Sequence, residues 1–402
     1  MKNIIKYQNF WMIIISLIVS SCVEQIDIQI EDFENAIVVE ALITNEFKHQ
    51  QIKLSNAYSF KDEHPTAVTN AKVNIIDNQQ NTYDFIEVSP GIYRSSIEFS
   101  AQPDIEYQLS FTTNNGNSYT SKKTQLPSVT HIDDLYAEKE IDAFGNVGVT
   151  ILVDSYNPNG DSRYYRYEYE ETYKIIAPKW SPKDLVVTPS GRVEFSYKTE
   201  QERICYKTDI SNTIIQKETN NLSEDKVSRF SVRFLNIKNP IISHRYSILV
   251  KQYVQSIDAY SYFKTLNKLS GSESLFSQTQ PGFLSGNITS VEDNNEKVIG
   301  FFDVSSVSYK RLFFNYFDIF PEEFSPPYFI ECIESAPSIK IFPGELSDLA
   351  NLIKNGSHKY YIDNENYPDP LNLNAGPYIV VPVECGDCRA IGTNQIPDFW
   401  ED

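Results

Sequence analysis

Methionine is nearly missing from this chain, with 2 in 402 residues, and tryptophan, histidine and cysteine are scarce at 3, 5 and 5. So little methionine beside 26 Tyr and 24 Phe argues against a helical bundle and for pleated, half-buried surfaces. No apolar run reaches the roughly 20 residues that cross a hydrocarbon core, which excludes an ordinary membrane-spanning helix. Basic residues are outnumbered 35 to 54 by acidic ones. That imbalance repels phosphates, which argues against nucleic acid or an anionic membrane surface as partner. It is compatible with cationic ligands, and it also serves plain solubility. Signatures of chemistry are missing as well: there is no G-x-S-x-G, no H-E-x-x-H and no P-loop. His49, His64, His131, His244 and His358 are scattered, and none sits in a triad or metal motif. In so acidic a chain, any two carboxylates chosen for glycoside hydrolysis would be arbitrary. The sequence therefore assigns no catalytic residue, no metal and no cofactor, although triads assemble in space and an enzyme is not excluded.

The first 22 residues carry the strongest signal. Lys2 and Lys6 precede an apolar run from Phe10 to Val19, interrupted by Ser16 and too short to span a bilayer. The run ends in Val19-Ser20-Ser21-Cys22, which resembles the lipobox of bacterial lipoproteins. Small residues there let a peptidase approach the backbone, and the Cys22 thiol is the atom that accepts the lipid. Several acyl chains anchor stably where one alone binds marginally. Removing residues 1–21 deletes two lysines and no acids, so the formal charge becomes 33 − 54 = −21. Glu24, Asp27, Glu31, Asp32 and Glu34 follow closely and resemble a surface-export signal of Bacteroidota lipoproteins, though none directly follows Cys22. The reading is a lipid-anchored protein of the outer membrane, exposed at the cell surface.

Length suggests two or three domains. Residues 22–35 read as a lipidated tether. From 36 to 127, Val73 and Ile75, Tyr83 and Phe85, Tyr93 to Phe99, and Tyr107, Leu109 and Phe111 alternate with polar neighbours. Turn residues such as Ser89-Pro90-Gly91 and Asn114-Asn115-Gly116-Asn117 separate them. About seven short strands in about 90 residues predict an immunoglobulin-like β-sandwich. Residues 128–402 predict a larger β-rich domain. Its strand candidates include Val147 to Val153, Tyr164 to Glu170, Phe230 to Leu235, Tyr246 to Tyr253, Val298 to Val304 and Tyr378 to Val383. Two short helices are predicted, one through Ala259, Tyr262, Phe263 and Leu266 with Ser256 as N-cap, the other from Leu346 to Ile353. The fold class is mainly β.

With Cys22 spent on lipid, Cys205, Cys332, Cys385 and Cys388 remain, an even number that points to two disulfides in any of three connectivities. Cys385-Gly386-Asp387-Cys388 also has the spacing of half a zinc site or of a redox pair. Two further ligands at zinc spacing and a surrounding βαβ unit are both lacking. The loop from Asp154 to Asp161 offers closely spaced oxygens as a calcium site would, but Asn157-Pro158-Asn159-Gly160 is a good turn without metal. Tyr165, Tyr167 and Tyr169 fall on one strand face, with Arg166, Glu168 and Glu170 on the other. Such a stripe lines a ligand site in some proteins and packs on a core in more.

Several segments resemble a family of Bacteroidota envelope lipoproteins, the domain of unknown function numbered 4249. They are the lipobox, Tyr164-Tyr165-Arg166-Tyr167, Arg245-Tyr246 through Ala259-Tyr260-Ser261-Tyr262-Phe263, and Gly286-Asn287-Ile288 leading to Gly300-Phe301-Phe302. The ending Cys385-Gly386-Asp387-Cys388-Arg389 with Pro397-Asp398-Phe399-Trp400 is the most specific. The family brings no catalytic residue. Its members tend to be encoded beside TonB-dependent receptors, which implies an accessory subunit that captures a small ligand, peptide or glycan for an import channel. The competing expectations are an envelope hydrolase acting on peptide or glycan, and a structural protein that bridges others.

Overall fold

The computed structural model describes residues 36–57, 64–270, 284–293, 295–340, 345–368 and 374–402. Cys22 and the 22–35 tether lie outside the described residues. The chain is mainly β. Its first region supplies β1 (Ile37–Thr44), β2 (Gln51–Asn56), β3 (Lys72–Asp77), β4 (Thr82–Ser89), β5 (Ile92–Ser95), β6 (Glu106–Thr112), β7 (Ser118–Ser121) and β8 (Thr124–Gln125). These strands run antiparallel in the order β1-β2-β5-β4-β3-β6-β7, with β8 on β6. Alternation decides the faces: Val73, Ile75, Tyr93, Tyr107, Leu109 and Phe111 all turn into one core with Val39 and Ile43. Between β4 and β5, Gly91 has φ +73, and an added Cβ there would lie 2.5 Å from the Leu54 carbonyl oxygen.

The chain continues through β9 (Asp134–Ile141), β10 (Val147–Asn157), β11 (Tyr164–Ile176), β12 (Lys183–Val187), β13 (Val193–Tyr197), β14 (Ile204–Ile210), β15 (Ile215–Glu218), β16 (Asp225–Asn236) and β17 (Arg245–Val254). Then come helix α1 (Ile257–Ser270), β18 (Ile288–Ser290), β19 (Val298–Asn315), α2 (Tyr316–Ile319), α3 (Asp348–Lys354), β20 (His358–Asp363), β21 (Tyr378–Pro382) and α4 (Val383–Gly386). The two predicted helices are the two longest, α1 and α3. Ser256 caps α1 by accepting the Ala259 amide at 3.1 Å, and Ser347 caps α3.

A second core forms where the β16-β10-β9 sheet lies on the β14-β11-β17-β19 strands, joining Val149, Ile151 and Leu235 to Tyr167, Ile248 and Val250. Strand β19 belongs to both cores. Its first half pairs in parallel with β1, from Ile37↔Val298 to Thr44↔Ser305. Its second half pairs antiparallel with β17, from Val254↔Ser306 to Arg245↔Asn315. Strand β18 adds to β7, so both ends of the first region's sheet take strands from far along the chain. The run Val298-Ile299-Gly300-Phe301-Phe302 is apolar without alternation because a central strand is buried on both faces. Gly300 is required by the parallel contact: its φ is +135, and an added Cβ would lie 2.1 Å from the Val39 carbonyl oxygen.

The cysteines pair as Cys205–Cys388 and Cys332–Cys385. Each member of the Cys-x-x-Cys segment is thus bonded to a distant partner, which spends all four thiols and leaves neither a redox pair nor a zinc half-site. The C-terminal segment then crosses the outer face of the second region's sheet. Trp400 packs edge-on against Tyr206 and Phe313, the Arg311 guanidinium stands 3.6 Å over the Phe399 ring, and Lys174 meets Asp402 at 2.9 Å.

Candidate functional site

Period two sends the odd residues of β1 and the even ones of β19 into the first core, so the opposite face carries Val38, Glu40 and Leu42 beside Ile299, Phe301 and Asp303. The same outer face continues across β19 and β17 to β11, whose Arg166 stands opposite Tyr253, which stands opposite Val307. Helix α1 lies over this seam, with Tyr262 packed on Phe301 at 5.3 Å between ring centres. Between helix and sheet is a cleft of about 510 Å³, walled by Tyr262, Phe263 and Leu266. Its volume suits a small molecule or a short peptide.

Five charged groups give this apolar cleft its polarity. Arg166 is 8% exposed, its guanidinium stacked 4.4 Å from the Tyr253 ring centre and 5.1 Å from that of Phe263. It ion-pairs with Glu168, which also accepts the Tyr253 hydroxyl at 3.0 Å. Asp303 is 1% exposed, and its Oδ2 accepts Gln255 Nε2 at 2.9 Å. Burial pushes its carboxyl above the ordinary value, and the facing Arg166, Gln255, Ser305 and Val304 offset only part of that. At the rim Lys53 and Glu40 pair at 2.7 Å in solvent. Within the cleft lining two buried atoms keep no hydrogen-bond partner, Arg166 Nε and Asp303 Oδ1, and behind them Ser305 Oγ keeps none either. Ser305 and Val304 face that carboxylate without closing a bond of good geometry. An unmade bond on a buried charged group is costly. Among the described residues the lining includes no Ser, Cys or His.

The tyrosine stripe has a different fate. Tyr165 and Tyr167 are 0% exposed and Tyr169 7%, all within the second core, so no ring face is open to a ligand. The Tyr165 hydroxyl donates to Asp225 Oδ1 at 2.8 Å and that of Tyr167 to Gln252 Oε1 at 3.0 Å. It is the opposite side of the same strand, Arg166 and Glu168, that reaches the cleft. Nor does the Asp154–Asp161 loop present free oxygens. Asp154 accepts the Arg229 amide, Asn157 donates to Asp161 Oδ1 at 2.9 Å, and Ser128 donates to Asp161 Oδ2 at 2.7 Å. Among the described residues no group of three or more His, Cys, Asp or Glu is arranged to hold a metal.

Around Cys388 the charges are spent on one another. Burial alone would raise Asp387, but bonds from Arg389 and the nearby Lys359 hold it below the ordinary carboxylate range. Arg389 also reaches Glu202 at 2.7 Å and pairs with Glu200, and Lys359 reaches Asp184 at 2.7 Å. This network locks the Cys-x-x-Cys segment to the loop before β14 and to the β12–β13 ribbon. Its chemistry is structural.

These features define a mainly β protein in which two cores share a sheet and a helix roofs a cleft at their seam. The chain belongs to the family described as Domain of unknown function (DUF4249), which matches residues 23–311 and so takes in every residue that lines the cleft. No curated protein matches it. Among solved structures, a DUF4785 family protein from Legionella pneumophila is similar at 6% identity and a TM-score of 0.16, over 54% of this chain and 51% of that one. Trypsin-activated alpha-2-macroglobulin from Escherichia coli is similar at 7% identity and a TM-score of 0.16, over 56% of this chain and 15% of that one. The chain therefore spans about half or less of the length of these structures. No helix among the described residues is long and apolar enough to cross a membrane.

Proposed function

We propose that this is a lipid-anchored outer-membrane protein, held through Cys22, that captures a small ligand or peptide without turning it over and serves as an accessory subunit of a TonB-dependent import receptor. The observation that carries the capture role is the seam cleft. It combines apolar walls with two buried, incompletely bonded groups of opposite charge, and among the described residues its lining holds no Ser, Cys or His. The leader sequence supports the anchor, and the family resemblance supports the receptor. Copurification of the mature lipidated chain from detergent-solubilised envelope tests the assembly. A stoichiometric β-barrel receptor is the expected partner, and recovery of the chain alone in repeated preparations would overturn the accessory role.

A further inference from the structure

The cleft's ligand class follows from what its walls leave unsatisfied, and the argument rests on the capture reading above. An anion alone suits the cleft poorly, because Arg166 is already shared with Glu168, and Asp303 and Glu40 repel a second carboxylate. A cation alone meets Arg166 and Lys53. An uncharged apolar molecule would fill the space beside Leu42, Leu266 and Phe301, yet it would leave Arg166 Nε and Asp303 Oδ1 without partners. What satisfies both is a molecule bearing an acceptor anion and a donor cation close together, with an apolar side chain. Hydrogen bonds with an ionised partner are about twice as strong as neutral ones.

We infer that the cleft binds a zwitterionic amino compound with an apolar side chain, its carboxylate on Arg166 and its ammonium on Asp303. The aliphatic or aromatic side chain lies under α1 against Leu266, Phe263 and Phe301. Free apolar amino acids and short peptides share this chemistry. A cleft of about 510 Å³ holds either.

The test is equilibrium dialysis of the full mature lipidated protein in detergent against radiolabelled L-leucine, L-phenylalanine and trileucine. N-acetyl-L-leucinamide, 4-methylpentanoate and isoamylamine serve as probes lacking both charges, the cation and the anion respectively. The expected result is saturable binding of at least one zwitterion, with the two singly charged analogues each weaker by about ten- to a hundredfold, the worth of one charge-assisted bond, and the capped amide weaker still. Preference for leucine or for trileucine tells the two sources apart. Asp303→Asn keeps the shape and an acceptor for Gln255, so it is expected to fold and to bind more weakly by a similar factor. Val38→Trp is a second variant, which fills the cleft from a face outside the core and is expected to abolish binding. Equal binding of the capped amide, undiminished binding by the Asp303→Asn variant, or no binding of any zwitterion would each overturn the inference. If that happens while the receptor still copurifies, the ligand class falls and the accessory role stands; loss of the receptor alone does the reverse.

Discussion

Replacing Tyr165 by Phe separates the two roles a tyrosine stripe can have. The ring is fully buried, and its hydroxyl is one of four donors to the buried Asp225 carboxylate. The others are Thr219 Oγ1 at 2.5 Å and the backbone amides of Ser162 and Arg163, both at 3.1 Å. The change removes one oxygen and leaves no sizeable void, so the loss is that of a hydrogen bond to a charged acceptor, about 1.5–3 kcal/mol. For Tyr167→Phe the lost partner is the neutral Gln252, and the expected cost is nearer 1 kcal/mol. Urea unfolding reads both, since a mutation that keeps the slope and moves the midpoint has changed stability alone. Ligand binding by dialysis should be untouched in both variants, because the rings point away from the cleft. Equal, negligible shifts in the two midpoints would refute the assignment of Tyr165 to Asp225. A loss of binding at unchanged stability would restore the stripe as a ligand surface.

Gly300→Ala is expected to prevent assembly of the β1–β19 pair, because the added methyl meets the Val39 carbonyl at a strained φ; loss of protease-resistant protein checks it. Burial raises the Asp303 carboxyl above its ordinary 3.8, so the wild type loses stability as pH climbs from 3.8 through that higher folded value. The Asp303→Asn variant has nothing to titrate there. Its advantage in urea midpoint should therefore widen across that window and then level off, and a gap constant with pH would contradict the burial argument. The Cys205–Cys388 bridge closes a loop of 183 residues. Replacing both by Ser is expected to cost up to about 5 kcal/mol from chain entropy, read from chemical unfolding, and intact-mass analysis without reductant should find no free thiol among the four. Deleting residues 397–402 removes the Trp400 and Phe399 contacts from the sheet's outer face and should lower stability while leaving cleft binding intact.

Local pattern made much of the fold legible. Alternation in Val73/Ile75 and Tyr107/Leu109/Phe111 located strands and their buried faces, and the spacing of Ala259, Tyr262 and Leu266 located α1 with its cap. Ile97, read as part of such an alternation, is exposed, because β5 ends at Ser95. Pairings across long separations were not legible. Nothing local in Val298 to Asn315 says that its two halves serve different cores, since a fully buried strand carries no period. Four cysteines constrain three pairings equally until the chain is folded. The site was half visible: the Tyr165 strand drew attention for the face that packs, while Arg166 on its other face does the binding proposed here. One signal could have found Asp303. A lone acid inside the run Gly300-Phe301-Phe302-Asp303-Val304 must be buried if the run is a central strand, and a buried carboxylate calls for a partner.

The shared strand β19 also sets the timetable of the molecule's making. A chain emerges from its N-terminus, so β1 is available 261 residues before Ser305, the end of its parallel partner. At about 5–20 residues per second that interval is on the order of tens of seconds. Throughout it, one side of β1 is an open edge with unpaired backbone groups, beside a core that lacks Phe302 and Val304. The early half is a receptor for a strand it does not yet own. Whatever escorts the nascent chain must shield that edge, and a half-made chain crowded beside completed ones has a ready route to taking β19 from a neighbour.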